Sequence, residues 1–477
     1  MTEQKHIHFV GICGVGMGAI AVMMKKMGWQ VTGSDKGFFP PISDFLKEHQ
    51  IDFYPGWHPE KMNQPDIVIV GNFISLKNPE YLFAKENNLT IKSYPELVAQ
   101  YIIKKNSIVI AGTYGKTTIA AFLTHLFKKA GLNPSWFVGG LAKNLESGAE
   151  NNQSDWSIVE GDEYTTARWD PQPKFFLYKP THLILTSVVW DHLDIFPTEK
   201  KYNQIFQELI KLIPQNGQII AAQRKDNQKI DKIISQSKAE IIRYGKKGLK
   251  FNNKNYSYEI NSFKKGFSEF TIYYNEKILG KFTTSLLGEH LIENLSSGIA
   301  LAHNIGIDLK IIQKAVTDFQ GVKRRLEIRA EINKIKIIDD LAHSPSKAHA
   351  SLTAIKTHFP QAKIFAVYEP NVGNRTISSQ KFYSRIFNLA DYLIIPRLSK
   401  TKIDAHQEKR MNGQELANII KQKNKETKIL YLEDDDKLID FLVNEVKPKD
   451  VIIFLGSHSF RGMIEQTITF LRQSLQD

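Results

Sequence analysis

The residues best able to do chemistry in this chain begin with Gly112-Thr113-Tyr114-Gly115-Lys116-Thr117-Thr118. The apolar run Ile108, Val109, Ile110, Ala111 precedes them and a helix-period stretch follows, which predicts a buried strand, a glycine turn and a helix start. A turn of this kind aims backbone N–H groups and the positive end of a helix dipole at one point. Lys116 adds a point charge and Thr117 a hydroxyl within reach of a metal, so the loop suits the phosphates of a nucleoside triphosphate with Mg²⁺. The general phosphate-loop pattern has a glycine where Ile110 stands, so this is a shortened form, G-T-x-G-K-T-T.

Two clusters supply carboxylates and an imidazole. SDWSIVEGDEY places Glu160, Asp162 and Glu163 at the end of an apolar strand. HLILTSVVWDHLDIF reads as a second strand delivering Asp191, His192 and Asp194 at its end. Such groups at neighbouring strand ends, beside a phosphate loop, fit a divalent cation bridging the triphosphate and a second substrate. Either cluster alone also reads as a solvated strand end. A further turn, with Gly11, Gly14, Gly16 and Gly18, follows the strand HIHFVGI and opens an apolar helix at 19–27, and Asp35 closes the next strand. A diphosphate on the helix N-terminus and a ribose hydroxyl on Asp35 would fit that arrangement. The middle glycine of the dinucleotide fingerprint is replaced by Cys13, which favours another nucleotide diphosphate over NAD and leaves a purely structural turn open.

The elements that must position these groups form three α/β blocks. Strands alternate with helices in the first block and from residue 321 onward, which predicts doubly wound parallel sheets with binding loops at the strands' C-terminal ends. The stretch 246–275, rich in Asn, Lys and aromatics in short alternating runs, reads as a β-rich elaboration of the middle block. Candidate linkers are 101–106 and 321–325. A chain of 477 residues is too long for one core, which fits three domains. No segment approaches the roughly 18 apolar residues of a membrane span, so no membrane insertion is expected. The start MTEQKHIHFVGI enters a strand without a leader pattern, and Cys13 has no partner for an internal disulfide, so a cytoplasmic location is expected. The net charge of +13 is spread through lysine pairs along the whole chain, and no nucleic-acid partner is expected.

Taken together, HFVGICGVGMGAIA, AGTYGKTT, VEGDEY, WDHLD, GEHLIEN, GVKRRLE and DDLAHSP resemble, in this order, the motifs of the Mur ligases. These are ATP-dependent amide-forming enzymes of bacterial cell-wall synthesis, and the resemblance covers essentially the whole chain. It implies an α/β protein of three domains. These are a Rossmann-like UDP-sugar domain at 1–104, a central P-loop ATPase with a mostly parallel sheet at 105–321, and a Rossmann-like amine-substrate domain at 322–477. The segments GNFISLKNPE, GDEYTTARWDPQPKF, VKRRLEIRAEINKIKIIDD and YEPNVGNRT look most like the branch that attaches L-alanyl-γ-D-glutamyl-meso-diaminopimelate to UDP-N-acetylmuramate. The alternative is the L-alanine-adding branch, which uses the same UDP-sugar.

The resemblance also implies roles. Gly112, Thr113, Gly115, Lys116, Thr117 and Thr118 would hold ATP phosphates, and Thr117, Glu160 and His192 would hold Mg²⁺. Lys116, Glu160 and His192 form the catalytic set. Asn294 would meet adenine, while Arg325 and Asp340 would reach the nucleotide from the third domain and His343 would face the amine. Arg325 also reads as a solvated linker cation, and His343 as a surface histidine at a helix start. Gly11, Gly14, Gly16 and Asp35 would take the UDP moiety. Tyr114, Gly161, Leu291 and Ser344 stand where the family usually has His, Ala, Asn and His; none removes a phosphate or metal ligand, but they leave the amine open. Phe206 and Gln207 stand near the place where some branches carry a carbamylated lysine, so none is expected. A monomer or weak homodimer is implied. The classes competing with a ligase are a nicotinamide-dependent oxidoreductase, from the first glycine turn, and a P-loop binding or switch protein without ligase chemistry.

Overall fold

The structure is a computed structural model that describes residues 4–38, 40–190, 195–225, 228–251, 254–264, 266–399 and 410–474. The chain divides into two compact units. The first comprises Met1–Asn261, Glu269–Thr284 and His290–Val322; the second comprises Ser262–Ser268, Ser285–Glu289 and Lys323–Asp477.

The first unit holds two large sheets. One is five-stranded and wholly parallel, in the order Asp52–Pro55, Gln30–Asp35, His6–Val10, Ile67–Val70, Thr90–Lys92. Its central strand, HIHFV, is buried at every position, as expected of a parallel strand covered on both faces. The other sheet has ten strands, with the phosphate-loop strand Asn106–Ala111 between Trp156–Glu160 and His182–Leu185. Glu240–Lys246, Asn255–Lys264, Phe267–Tyr274 and Lys277–Thr284 extend it to one edge, so 246–275 is the expected β-rich elaboration. The second unit carries a six-stranded sheet. Its order is Glu327–Ile332, Ile335–Asp340, Val451–Gly456, Ile364–Glu369, Tyr392–Pro396, Lys428–Leu432, with only the first pair antiparallel. Ile337, Phe365, Ile394, Ile452 and Phe454 from its strands pack with Leu438, Leu442, Met463 and Ile464 from its helices into one core. No helix among the described residues is long and apolar enough to cross a membrane.

Three expectations about elements need correction. The first helix runs Val15–Lys26, starting well before residue 19, because extended Gly14 ends the glycine turn directly on the helix. The strand begun at His182 stops at Leu185, because 186–189 bend back to bond the phosphate loop. Residues 101–106 are largely structured: Tyr101 and Ile102 close the π-helical turn Val98–Ile102, and Asn106 already begins a strand. The boundary between the two units falls between Val322 and Lys323, inside the candidate linker 321–325, and this segment is tied down locally. Val322 bridges Ala142, and Arg324, at φ +61°, spends its guanidinium on Asp339 and the carbonyls of Gly456, Ser457 and His458.

His125 lies on the buried face of the helix Lys116–Lys129, and burial, reinforced by Lys129, pushes its imidazole down to about 4. A folded pKa below the unfolded one means stability is present above about 6.5 and is lost as pH falls toward 4, because only the unfolded chain takes up the proton there. His182 and His358, also pushed down to about 4 by burial, add to the same slope. Replacing His125 with Leu is expected to remove about 2 kcal/mol of the stability difference between pH 7 and pH 5. Thermal melts at the two pH values check this, and an unchanged difference would contradict it.

Candidate active site

Three parallel strands end together at the site. Ile110 of the phosphate-loop strand lies opposite Glu160 on one neighbour and Ile184 on the other, so the residues that follow each strand meet at one sheet edge. Gly112 turns the chain at φ +122°, and Gly115, at φ +83°, caps the helix Lys116–Lys129 without a side-chain hydrogen bond. The N–H groups of that first helical turn therefore face the loop. A Cβ on Gly112 would overlap the Thr186 hydroxyl and Ser187 backbone, and one on Gly115 would overlap the Asn294 carboxamide. Only glycine fits both positions, which leaves a concave backbone cradle of the kind that takes phosphate. The bend after Leu185 holds this cradle. Thr113 N–H donates to the Ser187 carbonyl at 3.0 Å, the Thr186 hydroxyl to the Tyr114 carbonyl at 2.6 Å, and Val189 N–H to the Thr113 hydroxyl at 2.9 Å.

The charged groups meet beside this cradle. The Lys116 ammonium donates to the Gly112 carbonyl at 2.8 Å and to Glu163 at 2.7 Å, with Asp162 at 4.0 Å. Burial alone would lower its pKa, but Glu163, then Asp162 and Glu160, raise it, so the ammonium stays charged. The Thr117 hydroxyl lies 2.9 and 3.0 Å from the two oxygens of Glu160, and Gly139 N–H donates to Glu160 at 2.9 Å. Burial pushes the Glu160 carboxyl up, against the pull of Lys116. Asp162 in turn pairs with Lys174 at 2.8 Å. A hydroxyl and a carboxylate at a phosphate cradle form an all-oxygen donor set, which fits Mg²⁺ held by one or two protein oxygens plus phosphate and water. Among the described residues no group of three or more His, Cys, Asp and Glu is arranged to hold a metal without such help.

Lys116, Thr117 and Glu160 are therefore brought together with Gly112, Thr113, Gly115 and Asn294, while Thr118 is buried in the helix behind them. Asp191, His192 and Asp194 lie outside the described residues. In the five-stranded sheet, Gly11 takes φ +88°, and Asp35 accepts from Cys13 N–H at 2.9 Å and from Lys36 N–H at 2.7 Å, tying the two strand ends together. Gly16 faces the middle of the first unit, where its Cβ would lie 3.1 Å from the Phe137 ring. In the second unit, buried Asp340 accepts from Leu326 N–H at 2.6 Å and Ala342 N–H at 2.8 Å, and its carboxyl is raised by burial against Arg325. Of the two arginines in VKRR, Arg324 is consumed by the fold, while the charge of Arg325 draws the Asp340 carboxyl down against the effect of burial. His343 Nδ1–H donates to the Leu341 carbonyl at 2.8 Å, just before the helix Pro345–His358.

Sequence reasoning placed Glu163 in a carboxylate cluster without finding it as the partner of Lys116. It missed Gly139 and Lys174 altogether. The glycine pair after the strand Ser135–Phe137 was the available signal for Gly139. Lys174 opens the short 3-10 helix Lys174–Tyr178 and lies inside GDEYTTARWDPQPKF, a segment that carries the family resemblance but did not single this lysine out.

A phosphate cradle beside an acidic wall suits an enzyme that activates a nucleotide, and comparison with known proteins narrows the class. Residues 6–106 match the Mur ligase family catalytic domain, 110–302 the Mur ligase middle domain and 324–458 the Mur ligase glutamate ligase domain. The chain is 30% identical over 474 residues to a UDP-N-acetylmuramate–L-alanyl-γ-D-glutamyl-meso-2,6-diaminoheptandioate ligase of Haemophilus influenzae, covering 98% of this chain and 100% of that one. It is 27% identical to a UDP-N-acetylmuramate–L-alanine ligase of Desulforapulum autotrophicum, over 98% and 99% of the two chains. The UDP-N-acetylmuramate-alanine ligase structure from Thermotoga maritima shares the fold, with a TM-score of 0.79 at 21% identity over 98% and 99% of the chains. This chain belongs to the Mur ligase family. It is an ATP-dependent ligase that forms carbon–nitrogen bonds in cell-wall biosynthesis.

A methyl group at Gly139 would stand 2.7 Å from Glu160 Oε2 and displace the carboxylate. Gly139→Ala is expected to lower Mg²⁺-dependent ATP turnover by roughly tenfold or more, because catalytic geometry tolerates little misplacement, with little change in melting temperature. A Mg²⁺ titration of turnover checks this, and a wild-type curve would contradict it.

Proposed function

We propose that this enzyme joins L-alanyl-γ-D-glutamyl-meso-diaminopimelate to the lactyl carboxylate of UDP-N-acetylmuramate, in peptidoglycan recycling in the cytoplasm. The observation that carries the ligase chemistry is the Lys116–Glu163 and Thr117–Glu160 pairing at the phosphate cradle. The full-length similarity to the Haemophilus influenzae tripeptide ligase favours the peptide as amine donor. The L-alanine ligases of comparable coverage support the second reading, in which L-alanine is the amine.

A carboxylate is a poor electrophile and needs activation. In the proposed sequence the lactyl carboxylate attacks the γ-phosphate of ATP, releasing ADP and leaving an acyl phosphate. The peptide's amine then attacks that carbonyl, loses a proton, and expels phosphate. Mg²⁺ would neutralise charge on the transferring phosphoryl group. Lys116 and the N–H groups of the cradle, from Gly112, Thr113 and Gly115 through Thr117 and Thr118, hold the β- and γ-phosphates. Thr117, Glu160 and His192 hold the metal, and Asn294 meets adenine. Arg325 and Asp340 reach the nucleotide, and His343 faces the amine substrate. Gly11, Gly14, Gly16 and Asp35 take the UDP moiety. The domains carrying these groups are 1–104, 105–321 and 322–477.

Phosphate release is the test. With ATP, Mg²⁺ and UDP-N-acetylmuramate, the tripeptide is expected to drive turnover well above L-alanine or a tetrapeptide. Turnover with L-alanine alone would move the enzyme to the second reading, and none with any amine would sink the ligase assignment. Lys116→Ala is expected to cut turnover by about a hundredfold or more while UDP-sugar affinity, measured by calorimetry, changes by less than about threefold. Loss of folding in that variant would make Lys116 a structural residue.

A further inference from the structure

The first unit contains a pocket of about 180 Å³ at the edge of the phosphate site, lined by Gly16, Tyr94, Phe137, Glu160, Asp162 and Lys174 among others. That volume is well below the ~300–1,000 Å³ of sites that enclose a whole drug-sized ligand. It suits the arm of a substrate rather than a nucleotide sugar. Gly16, the second residue of the helix Val15–Lys26 after the first glycine turn, lines it. Glu160, which is bonded to Thr117 of the phosphate loop, lines it as well.

Lys174 is the cation of this pocket. It is 6% exposed, and its ammonium lies 5.3 Å from the Tyr94 ring and 5.7 Å from the Tyr164 ring. Its backbone N–H donates to the Tyr164 carbonyl at 3.1 Å, which fixes the root of the side chain. Lysine carries three donors, and among the described residues the one hydrogen-bond acceptor of this ammonium is Asp162, at 2.8 Å. Asp162 is itself shared, because Lys116 stands 4.0 Å from its other oxygen. Thus a carboxylate oxygen already seats against Lys174 inside the pocket, and the carboxylate that supplies it has a second ammonium to turn to. Holding a desolvated ammonium at a wall that also bears Glu160 and Asp162 lets one further carboxylate enter where two acidic groups would otherwise repel it.

We infer that Lys174 binds and orients the reacting carboxylate of the acid substrate, with Asp162 shifting toward Lys116 as that carboxylate takes its place. This assignment rests on the proposed UDP-N-acetylmuramate reading. It gives the substrate a path: the sugar nucleotide lies at the glycine turn, and its acid arm passes Gly16 and ends between Lys174 and the phosphate loop. Lys174 is a residue of substrate positioning and charge; it transfers no proton in this scheme.

The test compares UDP-N-acetylmuramate with UDP-N-acetylglucosamine, the same nucleotide sugar without the lactyl acid. Both are titrated into the full-length enzyme by calorimetry with a non-hydrolysable ATP analogue and Mg²⁺. Lys174→Met and Lys174→Gln are expected to weaken the acid-bearing ligand by about ten- to a hundredfold and the acid-free one by less than about twofold, whereas Lys174→Arg keeps most of the preference. Lys174→Gln retains a donor for Asp162, so it decides the matter even if Lys174→Met does not fold. Equal weakening of both ligands would make Lys174 a merely structural residue and overturn the inference. If the unaltered enzyme binds neither sugar nucleotide, the UDP-sugar reading falls and this assignment with it.

Discussion

The site depends on one buried charge, the Lys116 ammonium, and on the register that surrounds it with carboxylates. An ammonium taken out of water without a partner would lose its proton or its place. Here the strand ending at Glu160 runs in parallel register beside the strand ending at Ala111, so the carboxylates that follow the first arrive beside the lysine that follows the second. Glu163 is wholly buried and meets that ammonium at 2.7 Å. Such a pair returns little net stability, because desolvating both charges offsets much of their attraction. It holds the charge in place at a cradle made for anions, which an apolar pair could not do.

The same logic shapes the surroundings. Glycine is required at 112 and 115 for two reasons at each position, a left-handed backbone and a neighbour standing where Cβ would be. The neighbours, Thr186 and Asn294, come from segments far along the chain, so the loop is clamped by tertiary contact as well as by its own conformation. Gly139 serves a different purpose: its missing side chain lets backbone N–H reach Glu160. The approaches at Gly112 and Gly139 keep the Thr186 hydroxyl and the Glu160 carboxylate hydrogen-bonded, in a region where an unmet donor or acceptor would cost about 1–3 kcal/mol.

Several acidic and basic residues that look alike in the sequence have parted ways. Arg324 and Arg325 are adjacent, yet the first is spent on Asp339 and three carbonyls while the second acts on the Asp340 carboxyl through its charge. Asp35 and Asp340 both end strands, and both give their oxygens to backbone N–H groups of neighbouring turns. Their carboxylates brace the loops they sit on. Any part in ligand binding would act through that bracing as much as through direct contact.

The sequence by itself determined the strand–turn–helix of the phosphate loop, the doubly wound blocks at both ends and the β-rich middle elaboration, because these are local patterns: apolar runs, glycine turns and periodicity within a dozen or so residues. It also determined the family, since its motifs recur in order along nearly the whole chain. Tertiary structure alone decided which carboxylate meets Lys116, that 186–189 abandon their strand to clamp the loop, that Arg324 of the 321–325 linker is spent on Asp339 and backbone carbonyls, and that Lys174 stands in a pocket with Glu160. Those facts follow from strand register and from contacts between residues tens of positions apart, and a linear pattern carries no record of which distant groups will share one sheet edge.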